Sequence, residues 1–170
     1  KMKKYLVLLL VLVCSLTFSA AVTTQPIDFK VDLEKGNTFP VFVLESLNGE
    51  KKLSNTKFDK KKKTIIVVAA EWCPDCQYEM PEIESFYKKN KNKYNIAVIF
   101  TNIRSSEAKV QAYIDANNYT FPVYYDYSGK VMEGTRIDSV PTNIFLDEKG
   151  KIINVEIGTI DQSVITKNLK

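Results

Sequence analysis

The sequence predicts an α/β domain, a mixed β-sheet covered by helices on both faces, and three observations predict it. Thr64-Ile65-Ile66-Val67-Val68-Ala69 is a short apolar run rich in β-branched residues, the pattern of a fully buried strand, and Cys73-Pro74-Asp75-Cys76 follows it almost at once. Further downstream, apolar runs alternate with stretches of helical periodicity, as in sheets whose strands are joined by helices. Near the end, Thr142 to Leu146 and Lys151 to Ile157 flank Asp147-Glu148-Lys149-Gly150, a hairpin that brings antiparallel pairing into the same sheet.

Taken in order, Lys1 to Lys4 is basic, Tyr5 to Phe18 is almost wholly apolar, and Ser19-Ala20-Ala21 is a run of small residues. That is the layout of an export signal cut after Ala21, which makes residues 1–21 a leader and residues 22–170 one domain. Tyr5 to Val22 is also about the shortest stretch that crosses a bilayer, so a retained membrane anchor is the second reading. Lipidation at Cys14 is the third, and against it stands Val13, where bacterial lipobox sequences carry Gly, Ala or Ser. All three place the domain outside the cytoplasm.

Ile27, Phe29, Val31 and Leu33 alternate as a half-buried edge strand does, until Gly36 breaks the pattern. Phe39 to Leu44 is another apolar run, and Leu47-Asn48-Gly49-Glu50 carries the Asn-Gly signal of a tight hairpin returning through Lys51 to Leu53. This N-terminal β-hairpin is expected to cap the larger sheet, with Ser54 opening a polar connection and Phe58 plugging the core. Lys60 to Lys63 reads as a solvated loop. After the cysteines a helix is expected from Pro74 to Lys89, with Met80, Ile83, Phe86 and Tyr87 facing the sheet and Pro81 bending it by removing a backbone bond to Gln77. Ile96 to Phe100 is a second buried strand. Ser105 or Ser106 caps a helix from Glu107 to Asn117, with Val110, Tyr113 and Ile114 inward. Phe121 to Tyr125 is a third strand, irregular or at an edge where Pro122 enters it. A short helix within Ser128 to Arg136 and a closing helix from Asp161 to Leu169, capped by Thr159 or Asp161, complete the domain.

With 170 residues and 45% hydrophobic content, the chain builds one domain with a sizeable core, expected to act as a monomer. Lys1, Lys3 and Lys4 supply three of the formal +4 charges, so the domain is close to neutral and nucleic acid is not an expected partner. There is no internal repeat and no low-complexity segment. Without the leader, only Cys73 and Cys76 remain of the chain's three cysteines, too few to staple a secreted scaffold. The pair is there to react.

Its placement supplies the chemistry. Pro74 presets φ for the first position of a helix and Asp75 suits the first turn, so Cys73 is expected at the positive end of a helix dipole and Cys76 one turn deeper. A helix N-terminus and a neighbouring thiol lower a cysteine's pKa from about 8.5 towards neutrality, which makes Cys73 the expected attacking thiol. Cys76, more shielded, resolves the mixed disulfide by attacking its partner's sulfur. A structural zinc site needs four ligands, and the chain has no second C-x-x-C and no histidine. Haem attachment needs histidine where Gln77 stands, and a permanent disulfide across so small a loop stabilises little. No cofactor or metal is expected beyond the redox-active cysteine pair.

Trp72-Cys73-Pro74-Asp75-Cys76, followed by Glu79 and Pro81 and much later by Val140-Pro141-Thr142, Ile144-Phe145-Leu146-Asp147 and Gly150, resembles the thioredoxin superfamily. More narrowly it is similar to the TlpA/ResA branch of extracytoplasmic thiol–disulfide oxidoreductases, with supporting matches in Gly36 to Leu53, Asn118 to Val123 and Gly158-Thr159. The resemblance covers nearly all of the mature chain and implies a thioredoxin-like mixed sheet. It implies that Pro141 is a cis-proline facing the dithiol, and that Val140 lends backbone groups to an incoming cysteine-containing segment, beside Trp72 and Pro74. Glu79 lies one turn beyond Cys76, where ResA-like proteins carry a glutamate credited with exchanging a proton with the resolving thiol. Thioredoxins proper instead carry a buried aspartate six residues before the first cysteine, where this chain has Val67.

The residues between the cysteines bear on direction. Strong oxidants of the family often have histidine there; Pro74-Asp75 places a carboxylate near the thiols, which disfavours thiolate and accompanies a more reducing couple. The expected activity is reduction of disulfides in client proteins, for example in cytochrome c maturation or repair of oxidised exported proteins, with a membrane electron-transfer partner restoring the dithiol. A disulfide-forming oxidase on the same fold and a peroxiredoxin-like thiol peroxidase are the alternatives. The peroxidase requires threonine where Ala70 stands.

Overall fold

The computed structural model describes residues 29–170, so the leader, Cys14 and Ile27 lie outside the described residues. Among the described residues, seven strands and five helices run in the order β1 (Val43–Glu45), β2 (Lys51–Leu53), α1 (Ser54–Lys57), β3 (Thr64–Ala69), α2 (Pro74–Asn90), β4 (Asn95–Thr101), α3 (Glu107–Asn117), β5 (Val123–Asp126), α4 (Lys130–Thr135), β6 (Thr142–Leu146), β7 (Ile152–Ile157) and α5 (Gln162–Leu169). The main sheet has the order β5-β4-β3-β6-β7. β3 pairs parallel with β4 and antiparallel with β6, so the β-branched run of β3 is the central strand and is buried on both faces. No helix among the described residues is long and apolar enough to cross a membrane.

Alternation along β3 divides the core in two. Ile65, Val67 and Ala69 meet Met80, Ile83 and Phe86 of α2, Val110 and Ile114 of α3, and Ile165 and Leu169 of α5. Ile66 and Val68, with their cross-strand neighbours Ile144 and Ile99, face the other way, towards Val131, Phe42, Leu44, Phe29 and Val31. The helices are therefore unevenly shared: three cover the first face, while the second is covered mainly by the N-terminal segment, the β1–β2 hairpin and the short α4.

The hairpin forms as expected, but its loop holds three residues rather than two, Leu47 to Gly49, closed by Ser46 N–H to Glu50 O at 2.9 Å and with Gly49 at φ +78°. The expected edge strand at Phe29 to Leu33 does not form. Phe29 and Val31 are buried, but their segment crosses the sheet instead of pairing along it. It is held by Val31 N–H to Gly134 O at 2.9 Å, and further on the chain makes one isolated antiparallel bridge, Thr38 to Lys151, with Gly36 N–H to Ile152 O at 2.8 Å and Phe39 N–H to Gly150 O at 2.9 Å. Alternating apolarity reports one-sided burial here, not a ladder. Phe29, Phe39 and Phe42 pack edge-on or tilted, with centroids 5.4 to 6.2 Å apart. A methyl group on Gly134 would overlap both the Phe29 ring and its carbonyl oxygen. Gly134→Ala is expected to cost about 1–3 kcal/mol by chemical denaturation, because a core this closely packed cannot give way without loss.

Ser54, expected to open a polar connection, starts the single turn α1 and is buried, its hydroxyl accepting from Phe42 N–H at 3.1 Å. Helix α2 continues through Pro81. Buried Glu84 fastens α2 to the segment before β5, accepting from Thr120 N–H at 2.8 Å, Thr120 Oγ1 at 2.7 Å and Phe121 N–H at 3.2 Å. Strand β5 begins only after Pro122 and lies at the sheet edge, where a residue without an N–H is tolerated. Ser106 caps α3 and Asp161 caps α5 through their side-chain oxygens.

Candidate active site

Strand β3 ends at Ala69, and the chain turns through Ala70, Glu71 and Trp72 into α2. Cys73 is the N-cap residue of α2, with extended backbone (φ −83°, ψ 121°), and Pro74 takes the first helical position where its missing N–H costs nothing. The Cys73 carbonyl accepts from Gln77 N–H at 3.0 Å, so the helix starts directly beneath the thiol. Cys73 is 7% exposed and Cys76 only 1%, the second thiol facing inward one turn on. Both are free thiols.

The loop before β6 comes to the same place because β6 runs antiparallel to β3, with Val68 opposite Thr142. The Val140–Pro141 peptide is cis, and the Cys73 thiol donates to Val140 O at 3.4 Å. Gly158 N–H donates to Pro141 O at 2.8 Å, and Thr159 Oγ1 to Asp75 O at 3.3 Å, so the β7–α5 loop bridges the cis-proline loop and the first turn of α2. Trp72 is half-buried, its Nε1–H donating to Ile103 O at 2.8 Å and its ring covered by the Arg104 guanidinium 3.9 Å from the centroid. Exposed Ile103 adjoins Trp72, and exposed Ile157 ends β7 opposite Thr142.

Behind the surface Cys76 and Glu79 are buried. Burial pushes the Cys76 thiol well above its ordinary range; the Cys73 sulfur and the Glu79 carboxylate push it the same way, and a bond from Ala70 N–H at 3.5 Å opposes them. Glu79 is 0% exposed, and burial pushes its carboxyl up to about 8. Asn143 lies near enough to favour the ionised form slightly, yet its Nδ2 is directed to Gly158 O at 3.4 Å and neither Glu79 oxygen receives a hydrogen bond. A carboxyl held near neutrality next to a thiol that resists ionisation can take that thiol's proton and return it. Among the described residues, no group of three or more His, Cys, Asp or Glu side chains could hold a metal ion.

The structure thus gathers Trp72, Cys73, Pro74, Val140 and Pro141 around the tip of α2, with Pro74 exposed, Trp72 and Val140 half-buried, Cys73 and Pro141 buried just behind them, and Cys76 and Glu79 deeper still. Sequence reasoning missed Asn143, Glu71, Ser105 and Arg104. Glu71 is buried, accepts from Ser105 Oγ at 2.7 Å, and gives its carbonyl to Gln77 Nε2 at 2.6 Å, which pins the β3–α2 turn. Asn143 did leave a signal: it is the one amide in the apolar run Thr142 to Leu146, at an inward position of a strand, where asparagine is disfavoured.

The sequence pattern of the Redoxin family matches residues 34–169. The chain is 35% identical over 141 residues to the thioredoxin-like protein YneN of Bacillus subtilis, spanning 82% of this chain and 81% of that protein. It is 28% identical over 159 residues to the thiol-disulfide oxidoreductase ResA of the same organism, spanning 93% and 86%. The crystal structure of StoA from Bacillus subtilis superposes with a TM-score of 0.67 at 28% identity, over 77% of this chain and 97% of that one. With its central strand delivering a cysteine pair to a helix tip opposite a cis-proline, the chain belongs to the Redoxin family and is a TlpA/ResA-like thiol–disulfide oxidoreductase of the thioredoxin superfamily.

Proposed function

We propose that this protein reduces disulfides in exported client proteins outside the cytoplasm. The observation that carries the reading is the pairing of a Cys73 thiol at the tip of α2, against Val140 O, with a buried Cys76 and Glu79 directly behind it. The Cys73 thiolate attacks a client sulfur; the client disulfide breaks and one client thiolate leaves. Cys76 then attacks the Cys73 sulfur, its proton passing to Glu79, and the second client thiol leaves as the Cys73–Cys76 disulfide forms. A membrane electron-transfer partner returns two electrons and two protons. Trp72, Pro74, Val140 and Pro141 form the docking surface for the client backbone, with Ile103 and Ile157 beside it.

Asp75 between the cysteines supports the reducing direction, and the basic-apolar-small pattern of residues 1–21 supports export. The purified domain is expected to catalyse insulin-disulfide reduction by dithiothreitol, with Cys73→Ser inactive. The couple is expected to equilibrate nearer the thioredoxin potential of about −270 mV than the about −120 mV of strong oxidants. A value at the oxidising end overturns the direction, and an inactive wild type overturns the reaction.

A further inference from the structure

The core beneath the dithiol contains a polar defect. Glu79 and Asn143 are both 0% exposed, and both Glu79 oxygens and Asn143 Oδ1 lack hydrogen-bond partners, an arrangement buried polar groups rarely keep. Asn143 sits on β6 between Val67 of β3 and Glu156 of β7, on the face it shares with Phe145 beneath α2. Its surroundings narrow the possible partners. Val67 of β3 and Ile160 and Ile165 at α5 are apolar. Glu156 is occupied by Asn154 at 2.7 Å and Asn168 at 3.3 Å. Tyr113 of α3, whose buried hydroxyl also lacks a hydrogen-bond partner, is acted on by Tyr119 and Cys76 and not by Glu79. That leaves Cys76, on α2 itself, and Asn143, on β6, as the polar groups acting with Glu79. The Asn143 amide is loosely held, its bond to Gly158 O at 3.4 Å being longer than the usual about 2.9–3.0 Å.

We propose that Asn143 is a positioning residue for Glu79, a side chain that serves both charge states of the carboxyl. Its Oδ1 accepts from protonated Glu79, and after rotation about the Cβ–Cγ bond its Nδ2 donates to ionised Glu79. An amide carries acceptor and donor on one planar group, which neither an apolar side chain nor a carboxylate does. One proton on Glu79 satisfies two of the three bare oxygens of the Glu79–Asn143 pair at once. When Cys76 attacks the Cys73–client disulfide, the Cys76–Cys73 bond forms, the client sulfur leaves with the bonding pair, the Cys76 proton passes to Glu79, and the amide turns to accept from the new O–H. This rests on the proton-transfer reading of Glu79 given above.

The test is a cycle of Asn143→Leu and Glu79→Gln. The carboxylic-acid C=O infrared band, assigned to Glu79 by its loss in Glu79→Gln, is titrated against pH in the reduced protein. The pH profile of Cys76 ionisation is followed by its thiolate ultraviolet absorbance in a Cys73→Ser background. Asn143→Leu is expected to raise the Glu79 midpoint by about one pH unit or more, since the ionised form loses its donor. In the Glu79→Gln background the same change is expected to leave the Cys76 profile where Glu79→Gln alone puts it. A Glu79 midpoint unmoved by Asn143→Leu, or a Cys76 shift equal in both backgrounds, overturns the assignment. Glu79→Gln leaving the Cys76 profile unmoved removes the proton-transfer reading instead, while the infrared midpoint still decides on Asn143. Should leucine prevent folding, Asn143→Val, suited to a strand, carries the same cycle.

Discussion

Cys76→Ser is expected to turn the protein from a catalyst into a trap. Cys73 at the helix tip still attacks an incoming disulfide, but the group that would break the resulting bond is gone. Cys76 sits one turn deeper, almost fully buried, where a client's own thiols have no approach. Release then depends on an external thiol, and replacing a held intramolecular nucleophile by a bimolecular one is expected to slow turnover by about a thousandfold or more. In single turnover with reduced protein and no added thiol, a covalent adduct with an oxidised substrate should build up stoichiometrically and fall apart on adding dithiothreitol. Cys73→Ser should give no adduct at all. An adduct on Cys73→Ser would reverse the roles of the two cysteines.

The second large effect is on stability. Glu79 titrates near 4.5 in an unfolded chain and at about 8 in the folded one, so between these values the native state holds a proton that the unfolded state has lost. Stability therefore falls as pH rises through that window; the contribution is fully present below pH of about 4.5 and gone above about 8. At about 1.4 kcal/mol for each pH unit separating the two titrations, the loss is on the order of 3–5 kcal/mol. The amide introduced by Glu79→Gln does not titrate. Subtracting the unfolding free energy of the parent from that of Glu79→Gln should give a difference that grows in favour of the variant by this amount between about pH 4.5 and about pH 8.5, measured by chemical denaturation of the reduced proteins. A flat difference would mean that the carboxyl is hydrated in the folded state.

Where the sequence speaks clearly, the governing interactions are local. A β-branched run ending four residues before Cys-Pro-Asp-Cys sets strand, turn and helix cap within one short stretch, and Asn48-Gly49 does the same for the hairpin. The alternation at Phe29 and Val31 reports inward-facing side chains correctly and strand pairing wrongly, because periodicity encodes which side is buried but not where the backbone finds its partners. Asn143 and Arg104 stay hidden for a related reason. What each does depends on α2 or on Trp72, brought to it by strand pairing and loop closure across tens of residues. Glu79 is legible through its spacing from Cys76 together with the family resemblance; how deeply it is buried is not, since that depends on apolar side chains drawn from β3, β6 and α5.

The rung that joins Val68 to Thr142 has a mechanical consequence. Nucleophile and cis-proline loop hang from the same end of two neighbouring strands at the centre of the sheet, so neither can drift from the other unless that ladder opens. Local fraying should therefore spare the reaction geometry, and amide exchange at Val68 and Thr142 should slow to the rate of whole-molecule opening, with redox competence lost only when the protein itself melts.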